Sequence, residues 1–320
     1  MAPKPQVIAL EEHYFDPEVK LHVAGTERSG GSQISAQLDD VGQGRIAEMD
    51  AAGIDLQVLS HGAPSVQRIA DAELAVRLAR GANDRLAETV RSRPDRFAAF
   101  AMLPTADPKA AADELERAVT RLGFKGAMVH GLANGLFLDD RRFWPIFERA
   151  QTLDVPLYLH PAVPHPAVID AYYKDYVEKY PNMLRAAWGF TVETATQGIR
   201  LILSDVFDTY PRLKIILGHL GEGLPFYLWR INMALVRDGA GPSWFRDTFC
   251  EHFWITTSGF FSDPALLCCV QELGVDRILF SVDYPFVENK PGTDWVHSIP
   301  LCAEDRAKIL SGNVKRLLKM

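Results

Sequence analysis

The sequence predicts an α/β fold, a single (β/α)8 TIM barrel that spans residues 1–320 and carries insertions after strands 1 and 5. Eight short apolar runs, rich in β-branched residues, alternate with longer stretches of helical periodicity. A length of 320 residues suits one such barrel. A doubly wound open sheet is the alternative, but it would place a glycine-rich phosphate turn after an early strand, and none is found there.

Each apolar run is bounded by Gly, Pro or Asp and predicts a buried parallel strand. The eight predicted strands are 7–13, 54–60, 97–103, 124–130, 155–160, 214–219, 253–259 and 277–283. Helical patterns lie between them, the clearest at 71–93 and 107–123, and a last helical pattern closes the chain at 303–318. Strand and helix therefore alternate through the whole sequence, as in a barrel.

Two segments interrupt this alternation. Residues 14–40 form a polar, glycine-rich insertion after the first strand, and residues 161–190 form a second one after the fifth. Because both follow strands, we expect both on the catalytic face of the barrel. The second insertion is rich in Tyr and Trp, which favours either a folded lid or a subunit interface.

Composition and charge narrow the function. The net charge is −7 and no run of Lys and Arg occurs, which argues against nucleic acid as a partner. No apolar segment is long enough to span a bilayer, and the amino terminus lacks the apolar core of a signal peptide. The four cysteines contain no CxxC pair, so we expect reduced, buried thiols in a cytoplasmic protein.

Side chains that bind metals or protons end four of the predicted strands. The first strand ends with Glu11 and His13, the fifth with His160, the sixth with His219 and the eighth with Asp283. Taken singly, each has a structural explanation, such as a packed histidine or a turn-forming aspartate. Together they lie at the same end of parallel strands, where a barrel brings them to one mouth. Two carboxylates and two imidazoles suit Zn²⁺ or Mn²⁺.

Strand alternation predicts which way these side chains point. Glu11 and His13 should share one face with Val7 and Ala9, and this face should look toward the barrel axis. Glu12 should then point toward the outer helices or their rim. We leave the remaining histidines out of the metal site, although two could line a pocket and one could pack beside it. These histidines are His22, His61, His130, His165, His252 and His297.

Several motifs resemble those of a known family. They are ALEEHY at 9–14, RFAAFAMLP at 96–104, GFKGAMVHG at 123–131, LDDRRFWPIFE at 138–148, YLHP at 158–161, YPRLKIILGHLGEGLPFYLWRI at 210–231, TTSGFF at 256–261 and DRILFSVDYPF at 276–286. In order and over nearly the whole chain, they resemble the amidohydrolase superfamily. Within it they resemble the metal-dependent, non-oxidative decarboxylases related to aminocarboxymuconate-semialdehyde decarboxylase, such as the γ-resorcylate and 2,3-dihydroxybenzoate decarboxylases. The ExH opening fits that branch, whereas most amidohydrolases open with HxH.

The resemblance implies one divalent metal ion, Zn²⁺ or Mn²⁺, with Mg²⁺ as a further option. The implied ligands are Glu11, His13, His160 and Asp283. It also implies that His219 and Glu222 form a proton-handling pair and that Arg230 lies near the substrate or orients this pair. An ion pair on a helix face is the other explanation for Arg230. Two-metal relatives carry a bridging lysine at the end of strand four, but here Lys125 stands at the start of that strand, which favours one metal.

The implied activity is decarboxylation of an ortho-hydroxybenzoate to a phenol and CO₂. In this hypothesis the metal chelates the carboxylate and the phenolic oxygen, and Asp283 protonates the ring carbon. Asp283 would need a raised pKa to start protonated, or else the proton arrives with the substrate phenol. His219 would take the phenolic proton or hold the oxygen. Aromatic side chains after the strands, Phe190, Phe260 and Phe286, could wall the ring or simply pack in the core.

A different enzyme class stays open. The same metal site, with Asp283 as a general base, could hydrolyse a lactone or an amide or hydrate an unsaturated carboxylic acid. A metal-binding scaffold without activity fits less well, because a His-Glu pair stands beside the ligand set. The expected partner is a small aromatic carboxylate, and the resemblance implies a homodimer or a homotetramer.

Overall fold

A computed structural model describes residues 5–23 and 31–320 of the chain. Each of the eight predicted strands is found there, the third one divided in two at Phe100. The strands are β1 Ile8–Tyr14, β2 Leu56–His61, β3 Phe97–Ala99, β4 Ala101–Met102, β5 Ala127–His130, β6 Leu157–His160, β7 Ile215–Leu217, β8 Phe253–Thr256 and β9 Ile278–Leu279. The strands β7, β8 and β9 end before the apolar runs do, and the last residues of those runs lie in the segments that carry the site. The strands β5 and β6 end at His130 and His160, as predicted, but begin later than their apolar runs.

The strands follow one another around the sheet in chain order, and all pairings are parallel. The amide of Phe100 donates to the carbonyl of Leu59 (2.9 Å), which links β2 to the residue between β3 and β4. A parallel bridge between Leu10 and Ser281 joins the last segment back to the first strand. This connectivity is that of a (β/α)8 barrel with all carboxyl strand ends on one side.

Helices surround the strands. They are α1 Val19–His22, α2 Ser32–Asp39, α3 Gln43–Ala52, α4 Ala72–Ser92, α5 Pro108–Leu122, α6 Trp144–Leu153, α7 Pro166–Val168, α8 Gly189–Leu203, α9 Val206–Thr209, α10 His219–Glu222, α11 Leu224–Ala234, α12 Trp244–His252, α13 Asp263–Leu273, α14 Asn289–Ser298, α15 Ala303–Ala307 and α16 Asn313–Leu318. Within the described ranges, none combines the length and apolar character that a bilayer span requires.

The helices α4 and α5 each begin directly after an aspartate that caps them. The side chain of Asp71 accepts a hydrogen bond from the amide of Leu74 (3.1 Å), and Asp107 does the same for Ala110 (3.0 Å). The fifth helix stops at Gly123, which adopts a left-handed conformation (φ 79°). These caps define where α4 begins and where α5 begins and ends.

Two apolar layers hold the barrel together. Inside the ring, Leu10, Phe100 and Tyr158 pack with other inward-facing strand residues and with the carboxyl-terminal helix α16. Outside the ring, Val7 and Ala9 belong to the layer between strands and helices. The expectation that Val7 and Ala9 face the barrel axis is therefore wrong.

The cause is an irregularity in the first strand. The pairing of β1 with β2 shifts register between Ala9 and Glu12, and Glu11 adopts a left-handed conformation (φ 58°). Such a bulge adds one residue to one strand and changes which later residues face inward. Leu10 and Glu11 can therefore both reach the interior, which strict alternation forbids.

The cysteines are free thiols, but they are not all buried. Cys269 is buried, Cys250 and Cys268 are half-buried, and Cys302 is exposed. The expectation of four buried thiols is thus wrong for three of them. The reason is that α13 presents only one of its two adjacent cysteines to the core, while Cys302 lies just before α15.

Both insertions contain helical turns. Helices α1 and α2 lie in the first one, of which residues 24–30 fall outside the described ranges. The second contains α7, a π-helical turn at Ile169–Tyr173 and a 3₁₀ turn at Pro181–Leu184. Large aromatic side chains of this second insertion are exposed, including Tyr172 and Tyr176.

Asn83 fixes the long helix α4 to the barrel. Its side chain donates to the carbonyl of Met102 (3.0 Å) and to Glu114 (2.7 Å), and accepts from the amide of Met102 (2.9 Å). We expect Asn83→Ala to lower the free energy of unfolding by about 2–3 kcal/mol, because it leaves buried polar groups unpaired. Urea denaturation measures this loss. Glu88→Ala, at an exposed position of the same helix, is the control and should change the value by less than about 0.5 kcal/mol. Equal free energies of unfolding for Asn83→Ala and Glu88→Ala would contradict the role of Asn83.

Candidate metal centre

Four ligand-type side chains meet at the mouth of the barrel. One ligand atom from each of Glu11, His13, His160 and Asp283 lies within 4.8 Å of the others. The first two come from the bulged end of β1, the third from the end of β6, and Asp283 from the loop after β9. Glu11, His13 and His160 are buried.

Each imidazole keeps one nitrogen directed at the carboxylates. Nδ1 of His160 donates to the carbonyl of Pro161 (2.7 Å), which leaves Nε2 with its lone pair 3.5 Å from Oε1 of Glu11. Nδ1 of His13 lies 3.3 Å from the hydroxyl of Ser60, and its Nε2 lies 3.3 Å from Oδ1 of Asp283. A hydrogen bond that fixes one ring nitrogen and frees the other is typical of metal-binding histidines.

The polar atoms at the centre of this group lack partners. Within the described ranges, Oε1 of Glu11, Nε2 of His13 and Oδ1 of Asp283 are buried and make no hydrogen bond. Leaving such atoms unpaired costs free energy, more so for charged groups. A divalent cation between two carboxylates and two imidazoles would satisfy all of them at once. The donor set therefore fits Zn²⁺ or Mn²⁺.

Hydroxyl groups hold the second oxygen of Glu11. Its Oε2 accepts hydrogen bonds from Tyr158 and Ser258, and Thr256 donates to the same oxygen at 3.4 Å. Burial raises the pKa of Glu11, and the nearby charge of Asp283 raises it further. These hydroxyls therefore orient a carboxylate that is costly to bury. None of these hydroxyls was predicted from the sequence, although Tyr158 stands two residues before His160 and so shares its face.

His219 and Glu222 form a pair beside the ligand group. Nδ1 of His219 lies 2.6 Å from Oε1 of Glu222, whose other oxygen accepts from the hydroxyl of Thr191 (2.8 Å). Nε2 of His219 lies 3.9 Å from Oδ2 of Asp283. Burial lowers the pKa of His219, but the charges of Glu222 and Glu11 outweigh it and place that pKa well above its ordinary value. These two carboxylates therefore favour the protonated form of His219.

Neighbouring imidazoles favour the ionised form of Asp283. Burial raises its pKa, but interactions with the adjacent His13 and His219 outweigh burial and lower the pKa to about 2. These interactions favour delivery of the proton to Asp283 from a neighbouring group or from the substrate phenol, and its protonation before the reaction stays a prediction.

Glu12 points away from the barrel axis and is fully buried. Its carboxylate accepts hydrogen bonds from the amides of Val282 (2.9 Å) and Tyr284 (3.3 Å) and from the side chain of Gln57 (3.2 Å). Val282 and Tyr284 flank Asp283, which itself adopts a left-handed conformation (φ 74°). Glu12 thus fastens the loop that presents Asp283 to the strand that presents Glu11. This role of Glu12 was not predicted from the sequence.

A cavity of about 290 Å³ opens onto this centre. Its walls include His160, His219, Asp283 and the aromatic rings of Phe190 and Phe286. Its other lining residues are Ile34, Ala63, Asn182, Arg185 and Ala186. Both insertions thus contribute to the cavity.

Two side chains considered from the sequence lie away from the cavity, and a third packs beside the site as expected. Arg230 is exposed on α11 and is not among the residues that line the cavity, so the structure does not bring it to the His219–Glu222 pair. Phe260 is 46% exposed and does not line the cavity either. The ring of His130, by contrast, lies 4.7 Å from that of His160.

A family model described as amidohydrolase matches residues 20–320. The chain belongs to the amidohydrolase family. Gamma-resorcylate decarboxylase from Rhizobium sp. is 42% identical to this amidohydrolase over 325 residues, which cover 98% of each chain.

Two solved structures are similar along almost their whole length. A 2,6-dihydroxybenzoate decarboxylase in complex with 2,6-dihydroxybenzoate has a TM-score of 0.91 and 41% identity, covering 99% of this chain and 100% of its own. A dihydroxybenzoic acid decarboxylase from Polaromonas sp., with bound manganese and the inhibitor 2-nitroresorcinol, has a TM-score of 0.89 and 41% identity. That match covers 99% of this amidohydrolase and 97% of its relative.

The contacts of Glu12 predict an effect on metal affinity. In Glu12→Gln an amide NH₂ replaces one carboxylate oxygen and faces a backbone or side-chain donor, so the loop of Asp283 should shift. We expect Mn²⁺ or Zn²⁺ to bind about 10–100-fold more weakly, as found for groups that orient metal ligands. Calorimetric titration of the metal-free protein measures this. Glu88→Gln is the control and should bind as the unaltered protein does; unchanged affinity in Glu12→Gln would contradict the positioning role.

Proposed function

We propose that this amidohydrolase catalyses the metal-dependent, non-oxidative decarboxylation of an ortho-hydroxybenzoate to a phenol and CO₂. One observation carries the proposal: the ligand group, the His219–Glu222 pair and Asp283 adjoin one cavity of the size of a small aromatic ring. The names of the similar proteins support it, since gamma-resorcylate decarboxylase is 42% identical over nearly the whole length. The enzyme would thus be a carboxy-lyase.

One divalent cation would be held by the four side chains of the candidate centre. The proposed ligands are Glu11, His13, His160 and Asp283. The manganese of the relative from Polaromonas sp. supports Mn²⁺, and the donor set suits Zn²⁺ as well. When bound, such a cation supplies positive charge that neutralises the carboxylate and phenolic oxygens of the substrate.

The protein's own groups would carry the proton. Glu222 and Glu11 favour a protonated His219, and its Nε2 lies 3.9 Å from Oδ2 of Asp283. We infer that Asp283 takes a proton from His219 or from the substrate phenol and passes it to the ring carbon that bears the carboxylate. The bond between that carbon and the carboxylate then breaks, its electron pair stays in the ring, and CO₂ leaves. One proton is consumed for each CO₂ released from the monoanion.

Glu222 and the aromatic walls would support this step. Glu222 stabilises the imidazolium of His219 and is itself held by Thr191 (2.8 Å). Phe190 and Phe286 line the cavity and could pack against the substrate ring. Their apolar surface would exclude water and so strengthen the electrostatic interactions at the reacting carbon.

We also propose that the enzyme assembles into a homodimer or homotetramer. Five large apolar side chains on or just after α11 are half or more exposed: Phe226, Tyr227, Trp229, Met233 and Val236. Contiguous apolar surface of this kind is typical of a protein–protein interface. A self-association surface on α11 would also bury the region around Arg230, whose role stays a prediction.

A parallel assay separates decarboxylation from hydrolysis. Metal-loaded enzyme is incubated with ortho-hydroxybenzoates and, separately, with lactones, amides and unsaturated acids. We expect CO₂ release from at least one hydroxybenzoate, and in D₂O one deuterium at the carbon that carried the carboxylate. Boiled enzyme is the control. Hydrolysis or hydration without CO₂ release would replace the proposal with the alternative.

Substitution of Asp283 tests the proton step. We expect Asp283→Asn to lower kcat by at least about 100-fold, because an amide cannot carry the proton. Metal content is measured in the same samples, which separates loss of the proton carrier from loss of the metal. Asp95→Asn, at an exposed position, is the control and should keep full activity. A metal-loaded Asp283→Asn enzyme with normal kcat would remove Asp283 from the proton path.

A further inference from the structure

One arginine faces the cavity without a partner. Arg185 lies in the second insertion, directly after the 3₁₀ turn Pro181–Leu184, and lines the cavity together with Asn182 and Phe190. Its side chain is half-buried, and among the residues that the structure describes it makes no hydrogen bond or ion pair. By contrast, Arg200 on the neighbouring helix α8 makes two hydrogen bonds to Asp139 (2.9 and 2.8 Å).

The cavity itself supplies no counter-charge to Arg185. Asp283 is the one acidic side chain among its lining residues, all of which lie in the described ranges. That carboxylate already faces His13 at 3.3 Å and His219 at 3.9 Å. A guanidinium is always charged and presents a planar set of donors that matches a carboxylate. Its partner must therefore come from solvent or from a bound molecule.

The backbone holds Arg185 in place. Its amide donates to the carbonyl of Asn182 (3.0 Å), and its own carbonyl accepts from the amides of Trp188 and Phe190 (both 3.1 Å). The start of the side chain is thus fixed on the cavity wall before any ligand binds. Preorganisation of this kind reduces the entropy that binding would otherwise cost.

We propose that Arg185 selects substrates that carry a second carboxylate on the ring, besides the one released as CO₂. This inference rests on the proposed function and names its substrate class: a phenolic dicarboxylate with the ortho-hydroxyl and the departing carboxylate at the metal centre and the second carboxylate at Arg185. A cavity of about 290 Å³ lies near the lower end of the range for small-ligand sites, so it suits one ring with small substituents.

Charge decides which carboxylate Arg185 binds. The departing carboxylate loses its negative charge as CO₂ forms, so an arginine bound to it would stabilise the substrate more than the transition state and slow the reaction. A second carboxylate keeps its charge throughout. An arginine bound to that group stabilises the substrate and the transition state equally, which lowers KM and leaves kcat unchanged.

The test compares two substrate types and three proteins. Metal-loaded unaltered enzyme, Arg185→Gln and Arg185→Lys are assayed with hydroxyisophthalate or hydroxyterephthalate and with salicylate. For the dicarboxylates we expect Arg185→Gln to raise KM about 10–100-fold with little change in kcat, the effect of one charged hydrogen-bonded contact. For salicylate the change should stay below about 3-fold, within the range of an uncharged contact. Arg185→Lys should restore part of the loss, and Arg91→Gln, an exposed arginine on α4, serves as the matched control.

A binding experiment keeps the inference separate from the proposed function. Isophthalate and benzoate carry no phenolic hydroxyl and are titrated calorimetrically into the metal-loaded proteins. Tighter binding of isophthalate that disappears in Arg185→Gln supports the role of Arg185 even if no hydroxybenzoate is decarboxylated, in which case the proposed function alone fails. Equal effects of Arg185→Gln on the diacids and on the monoacids, in both turnover and binding, would overturn the inference.

Discussion

Two carboxylates and two imidazoles share one buried space, and this crowding of charge governs the rest of the structure. Glu11 and Asp283 repel each other, and burial raises the pKa of Glu11. Their free oxygens and Nε2 of His13 make no hydrogen bond among the described residues. A cation would offset the repulsion and pair these atoms at once. The hydroxyls of Tyr158 and Ser258 act on the charge of Glu11, and His219 acts on that of Asp283. The amides around Glu12 act indirectly, because they hold the loop that presents Asp283.

The backbone is distorted where it presents these groups. Glu11, His219, Glu222 and Asp283 all adopt positive φ angles between 50° and 74°, although none is glycine. Residues in this region cost about 1–3 kcal/mol each and persist where the surroundings determine them. Here the surroundings are strands buried on both faces and, at Asp283, the hydrogen bonds to Glu12. The barrel thus supplies the rigidity that holds four strained residues, at the ends of three strands, around one point.

Much of this arrangement could be predicted from the sequence, because parallel strands of a barrel end on the same side. That rule alone brings Glu11, His13, His160 and Asp283 into one neighbourhood. Strict alternation predicted the wrong face for Val7 and Ala9. The bulge at Glu11 adds one residue, so the side chains before it point to the opposite face from the one that alternation predicts. The apolar run at residues 7–13 contains no sequence pattern that predicts this bulge.

Other features depended on contacts between distant segments. The role of Glu12 arises from amides that lie 270 and 272 residues away along the chain. The lowered pKa of Asp283 follows from two histidines on other segments. The position of Arg185 follows from an insertion without a periodic pattern. Arg230 was assigned by resemblance alone, and the structure places it on an exposed helix face.

The most direct test of the central claim is X-ray diffraction from crystals soaked in Mn²⁺ or Zn²⁺, recorded at the absorption edge of the metal. The account predicts one anomalous peak per chain, about 2.0–2.3 Å from a ligand atom of each of Glu11, His13, His160 and Asp283. A peak held by other residues, or no peak at a metal concentration that supports turnover, would contradict it.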